Sequence, residues 1–205
     1  MFHVILLAAG LSRRMGADNK LLLPWGNKTV LETTLGKILT AEMGKVWVVV
    51  GHEGDHIKNV LKNYLNLHSS HPLSIVTHLA YEQGMTSSIQ AGIKSIAEAA
   101  TGYMICLSDM PLIAPSEYRL LYNHSSERIK QNEKAIIRPI FNNQIGNPTI
   151  FSAFYKKDIL NLTYTEGCKP IIQKYAEHVY EVQMPTDSIL KDMDNQKDYE
   201  WLLKN

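Results

Sequence analysis

The chain has 205 residues, 45% of them apolar and 20% charged, with a formal net charge of +1. That length can bury a sizeable core, while the near-neutral balance argues against a surface that coats nucleic acid. Only 8 prolines, no charge run and no low-complexity segment leave little room for disorder, so one α/β domain over 1–205 is expected.

The two cysteines, Cys106 and Cys168, are far apart and form no CxxC pattern, which suits small core residues in a reducing compartment better than a disulfide scaffold. The apolar run Val4 to Gly10 is too short to cross a membrane. No basic residue precedes it and Arg13 and Arg14 follow it, which is the wrong order for a signal peptide. The expectation is a cytoplasmic protein without a membrane or nucleic-acid partner.

In chain order, apolar runs of strand length occur at Phe2 to Ala8, Lys45 to Val50, Leu73 to Val76, Tyr103 to Leu107, Ala135 to Arg138 and Thr149 to Phe151. Helical spacing fills the gaps, with Leu31, Leu35, Ile38 and Leu39 after the first strand and Ile57, Val60, Leu61, Tyr64 and Leu65 after the second. Near-continuous apolar strands alternating with amphipathic helices predict a mostly parallel sheet covered on both faces. Ligands of such sheets bind at the carboxyl ends of the strands. The loops after Ala8, Val50 and Leu107 therefore share the functional edge. Arg138-Pro139 is expected to end its strand, and NNQIGNP, Asn142 to Pro148, is dense in turn formers.

The first loop, LAAGLSRRMGADNKLLLP, is not a Walker A loop, because five residues separate Gly10 from Gly16 and Ala17 stands where lysine is needed. Nor is it a G-x-G-x-x-G loop, since Ser12 and Arg13 interrupt that spacing. Small residues Ala8, Ala9 and Gly10 followed by Arg13, Arg14 and Lys20 combine backbone amides with cations, a set that suits a polyphosphate. In LSDMP, Asp109 follows an apolar strand and can either cap a helix or hold Mg²⁺. In DMDNQKD, Asp192 and Asp194 alternate, and can either approach a cation together or belong to a solvated turn that caps the last helix, Gln196 to Leu203. YEQGMTSSIQAG places Gly84, Ser87 and Ser88 at a helix start, where hydroxyls and amides can meet a nucleotide or merely cap the helix. His52-Glu53-Gly54-Asp55-His56 matches H-E-x-x-H, but it follows VVVG directly and contains a glycine, so it reads as a turn in which Glu53 starts a helix.

The ordered set LAAGLSRRMG, NKLLLP, VVVGHE, GMTSSIQAG, LSDMP, GNPTIFS and DMDNQKDY resembles the molybdenum cofactor cytidylyltransferases, within the wider MobA-like nucleotidyltransferase family. The resemblance implies a Rossmann-like, three-layer nucleotidyltransferase fold with a mostly parallel, mixed central sheet. It implies that Leu7, Ala8, Ala9 and Gly10 lie against base and sugar, that Ser12, Arg13 and Arg14 hold the triphosphate, and that Lys20 reaches the α-phosphate. Gly84, Ser87 and Ser88 would lie near the nucleoside. Asp109 would carry Mg²⁺ with Asp194, or alternatively Asp192, as second ligand, and Arg13, Lys20 and Asp109 would be the catalytic set. Gly146, Asn147 and Pro148 would border a pterin acceptor. The implied substrates are CTP and a molybdopterin-type cofactor, with a molybdenum hydroxylase apo-enzyme as a partner. A different nucleotide or acceptor (GTP, a sugar phosphate or methylerythritol phosphate) and a non-catalytic carrier remain the alternatives. DMDNQKDY departs from the family's more usual DIDTPEDY, and LAAG with NKLLLP favours cytidine over guanosine by the same resemblance.

Overall fold

A computed structural model describes residues 1–11, 19–67 and 73–204. Its strands are β1 (Phe2–Ala8), β2 (Pro24–Trp25), β3 (Lys28–Thr29), β4 (Lys45–Val50), β5 (Leu73–Thr77), β6 (Gly102–Leu107), β7 (Ile136–Phe141), β8 (Gln144–Ile145), β9 (Thr149–Ser152) and β10 (Val179–Gln183). Its helices are α1 (Val30–Thr40), α2 (Gly54–Leu67), α3 (Met85–Lys94), α4 (Pro115–Gln131), α5 (Lys156–Leu160), α6 (Lys169–Lys174) and α7 (Gln196–Leu202).

The central sheet has the order β10-β7-β9-β6-β1-β4-β5, with β8 paired to β7. β6, β1, β4 and β5 are mutually parallel, as are β7 and β10, while β9 runs against both β6 and β7. A mostly parallel, mixed sheet is thus present as expected.

Alternation along the strands builds two separate cores. Val4 and Leu6 of β1, with Val46 and Val48 of β4, pack with Leu31, Leu35, Ile57, Leu61 and Leu121 of α1, α2 and α4. Ile5, Trp47 and Val49 point the other way, to Ile89 and Ile93 of α3 and Ile159 and Ile171 of α5 and α6. Gly92 lets α3 press against the sheet, because a Cβ there would meet Ile5 2.8 Å away.

Helix starts follow local chemistry. Thr29 and Glu32 form a capping box at α1, and Glu117 accepts the Ala114 amide at α4. Asp109 caps no helix, because β6 ends before it and α4 begins only at Pro115.

Two expectations fail. β7 does not stop at Arg138-Pro139 but continues to Phe141. Pro139 falls between the pairing with β9, which ends at Ile137, and that with β8, which starts at Ile140, so its missing N–H disturbs neither ladder. Glu53 does not begin α2, since its φ of 48° belongs to the left-handed region and the helix opens at Gly54. His52 accordingly precedes the helix that contains His56, so the pair does not share one helix face.

Candidate active site

The carboxyl ends of β1 and β6, the start of α3, the β8–β9 loop and residues 165–172 enclose a cavity of about 1190 Å³. This exceeds the usual size of a site for one small ligand. The volume suits a nucleotide together with a second molecule.

At one end Lys20 leaves a short helical turn whose start is capped by the Asn19 side chain. Its Nζ pairs with the Asp109 carboxylate, donates to the Met193 carbonyl at 2.8 Å, and lies 3.6 Å from Asp194. The Met193 amide donates to the Asp109 carbonyl at 3.1 Å, so the chain of 192–194 returns to the sheet edge and is laid against the β6 turn. Ser108 Oγ donates to the Leu7 carbonyl at 2.6 Å and ties that turn to β1. Asp109, Asp192 and Asp194 all line this end. Burial, then the charges of Asp109 and Asp194, push the Asp192 carboxyl above its ordinary pKa, and a backbone hydrogen bond and then Lys20 only partly offset them.

The capping reading of DMDNQKD also holds, but with other residues. Asn195 accepts the amides of Lys197 and Asp198, and Asp198 accepts those of Asp194 and Asn195. Asn195 and Asp198 thus supply the turn, and Asp192 and Asp194 remain at the cavity.

Leu7, Ala9 and Gly10 line the cavity, whereas Ala8 is buried in the opposite core. Ser12, Arg13 and Arg14 lie outside the described residues. Gly84 takes φ 97°, and a side chain there would press on the Thr165 carbonyl, so glycine lets the loop beyond α5 close over the start of α3. Thr86 fastens that loop, donating through Oγ to the Gly167 carbonyl and accepting its amide, both at 3.0 Å. Ser88 faces the cavity. Ser87 does not line it, as its Oγ donates to the Gly84 carbonyl at 2.8 Å and meets His78 Nε2 at 2.9 Å.

Gly146 and Asn147 also line the cavity, and the Asn147 amide donates to the Ile189 carbonyl at 3.0 Å. Pro148 is buried and does not reach the cavity. Arg138, Thr149 and Phe151 also form wall, within the region Arg138 to Ser152 that the sequence marks as shaping the acceptor pocket, as does the stretch Thr165 to Lys169, which no motif indicates. Arg138 is the most legible of them, a lone charge inside the apolar run IIRPIF. The Cys168 thiol also lines the wall, and burial pushes its pKa up to about 12, which makes it a poor nucleophile.

A lysine among three carboxylates, at the strand ends of a cavity wide enough for two substrates, suits transfer between phosphate anions, and comparison with known proteins makes the class definite: the chain is a nucleotidyltransferase. It belongs to the MobA-like NTP transferase domain family, whose model matches residues 4–179.

The molybdenum cofactor cytidylyltransferase of Escherichia coli (strain K12) is 24% identical over 201 residues, covering 95% of this chain and 92% of that one. The nicotine blue oxidoreductase of Paenarthrobacter nicotinovorans is 31% identical over 126 residues, 61% of this chain and 58% of that one. Among solved structures, Rv0371c from Mycobacterium tuberculosis H37Rv shares the fold with a TM-score of 0.79, 23% identity and coverage of 100% of this chain and 97% of that one. A second structure of that protein is a complex with manganese, with a TM-score of 0.74, 21% identity and coverage of 100% and 98%.

Proposed function

We propose that residues 1–205 form a single catalytic domain that transfers CMP from CTP to the terminal phosphate of a molybdopterin-type cofactor, releasing pyrophosphate. The observation that carries this is the meeting of Lys20, Asp109, Asp192 and Asp194 at one end of a two-substrate cavity. The choice of CTP and pterin rests on the resemblance of the motifs and on the name of the Escherichia coli relative.

A phosphomonoester is largely anionic near neutral pH, so it needs no strong general base to attack an α-phosphorus. The barrier is repulsion between two anions, together with charge growing on the departing pyrophosphate. Lys20 supplies positive charge at the α-phosphate, and Arg13 and Arg14 are assigned to the triphosphate. Leu7, Ala9, Gly10, Gly84 and Ser88 hold the nucleoside, and Gly146 and Asn147 border the acceptor.

Asp109 paired with Asp194 or Asp192 offers carboxylates to a hard divalent cation, although no three such groups among the described residues converge on one point. Their oxygens are the donors Mg²⁺ prefers, and burial, followed by the charges of Asp109 and Asp194, raises the pKa of Asp192. Asp109 would hold Mg²⁺ with Asp194 or Asp192. A cation bound there would draw charge from the phosphate oxygens. The role of a molybdenum hydroxylase as recipient of the product, and a cytoplasmic location, belong to the same reading; no helix among the described residues is long and apolar enough to cross a membrane.

The test is incubation of purified protein with Mg²⁺, the pterin acceptor and, separately, CTP, GTP or ATP, with dinucleotide and pyrophosphate measured. CTP should give the fastest turnover. Turnover with GTP alone, or only with a sugar phosphate as acceptor, would overturn the reading.

A further inference from the structure

Arg138 lines the cavity, and the transfer described above gives it no task. It stands on β7 among Ile136, Ile137, Pro139 and Ile140. A charge in such a strand loses hydration and needs compensation from a partner. Its Nε is buried and has no hydrogen-bond partner among the described residues. Glu181, its register partner on β10, favours the charge, but burial outweighs that effect and pushes the guanidinium below its ordinary pKa.

The surroundings have the character of a binding floor. Thr149 of β9 and Ile105 of β6 are register partners, and with Phe151 and Asn147 they line the same cavity as Arg138. β9 lies between β7 and β6. At strand spacing this sets Arg138 on the order of 10 Å to the side of the strand that leads to Asp109. A group held by Arg138 is therefore a different part of the ligand from the one that reacts beside Lys20.

We propose that Arg138 is the acceptor-side anchor, binding through its guanidinium fork a second anionic group of the acceptor, remote from the phosphate that reacts. This rests on the proposed function. In a molybdopterin-type acceptor the ene-dithiolate, free or metal-bound, is that group. Two parallel N–H donors match such a bidentate anion, and a half-buried guanidinium, already partly desolvated, gains more from it than a fully hydrated one would. A sugar phosphate carrying no second charge gains nothing there.

The test compares the full-length wild type with Arg138→Gln and Arg138→Lys. In the absence of substrate, Arg138→Gln should melt at the same temperature as wild type or higher, because it removes a partly desolvated charge whose buried Nε has no hydrogen-bond partner among the described residues. Acceptor binding, followed by pterin fluorescence, should weaken at least about tenfold. In turnover the KM for acceptor should rise by a similar factor, while the KM for CTP stays within about twofold of wild type. Arg138→Lys keeps the charge and loses the fork, so it should also bind the acceptor more weakly than wild type.

A lower melting temperature of Arg138→Gln with unchanged acceptor binding would make Arg138 a structural residue and overturn the proposal. A rise in the KM for CTP instead of the acceptor would overturn it too. If Arg138→Gln is unstable, Arg138→Lys decides, and wild-type acceptor affinity in that variant refutes the anchor. Absence of CMP transfer by the wild type would defeat the proposed function alone, since direct acceptor binding still reads Arg138.

Discussion

The β6, β1, β4 and β5 side of the sheet and the β9, β7 and β10 side hold their ends of the cavity by different means. In the first, parallel strands end together and bring Leu7, at the end of β1, with Ala9, Gly10 and Asp109 just beyond the strand ends, to one edge. In the second, β9 runs against its neighbours, and the wall is assembled from segments far apart in sequence. The Asn147 amide reaches the Ile189 carbonyl, and Thr86 reaches Gly167. The first side is preorganised by regular structure; the second depends on a few specific clips, where a small change should shift ligand affinity more than the chemistry.

The sharpest way to break that contrast is to remove charge at the regular side. Asp109→Asn should lower kcat at saturating substrates at least about a hundredfold, equivalent to ~2.7 kcal/mol of barrier, and Lys20→Ala should follow in the same direction. Circular dichroism and melting should stay near wild type. Unaltered kcat in both variants would remove Lys20 and Asp109 from the chemistry, whereas a wild type that binds the finished cofactor without turnover would be a carrier.

On the assembled side, Gly146→Ala drives a methyl group into the Ile189 carbonyl, a backbone atom that cannot rotate away. We expect a loss of about 2 kcal/mol in stability, and a higher KM for the acceptor with a smaller change in that for CTP. Equal changes in both constants would mean that the β8–β9 loop does not belong to the acceptor side. Thr86→Val leaves the Gly167 amide and carbonyl without their side-chain partner and should cost about 1.5 kcal/mol in the melting free energy.

The same contrast explains what could be read in the sequence. The central parallel strands β1, β4 and β6 are buried on both faces, so each appears as a near-continuous apolar run, and β1 and β4 match the structure end to end. Lys20, Asp109 and Asp194 are likewise adjacent in space as the motifs implied. β10 went unread because VYEVQ alternates and half of it is exposed, and α5 and α6 are too short to show a helical period. Ser87 and Pro148 show the limit of motif reading. A hydroxyl in a helix's first turn can serve its own backbone, and the proline next to Asn147 is buried and forms no part of the cavity wall.

The smallest effect is expected from a residue of the regular side that has no part in the chemistry. His3 on β1 is fully buried; its Nδ1 accepts the Trp47 indole N–H at 3.1 Å and its Nε2 has no partner among the described residues. Nδ1 as acceptor fixes the neutral tautomer with the proton on Nε2, and a second proton would face the indole donor. Burial is the main reason that the pKa falls below 6.5; Glu98 opposes it, and the N-terminus, Lys45 and Lys156 add to it. The unfolded chain therefore binds more protons than the folded one below about pH 6.5. The contribution of neutral His3 should be complete above that value and decline as pH drops through it toward the lower folded pKa. His78 shifts in the same direction, so wild type must be compared with His3→Gln, which cannot titrate. Between pH 7 and 5 the melting temperature of wild type should fall more steeply than that of His3→Gln, while the KM values for both substrates remain alike in the two proteins. Parallel melting curves would show that His3 is protonated without cost, and an altered KM would show that the core beneath β1 reaches the site.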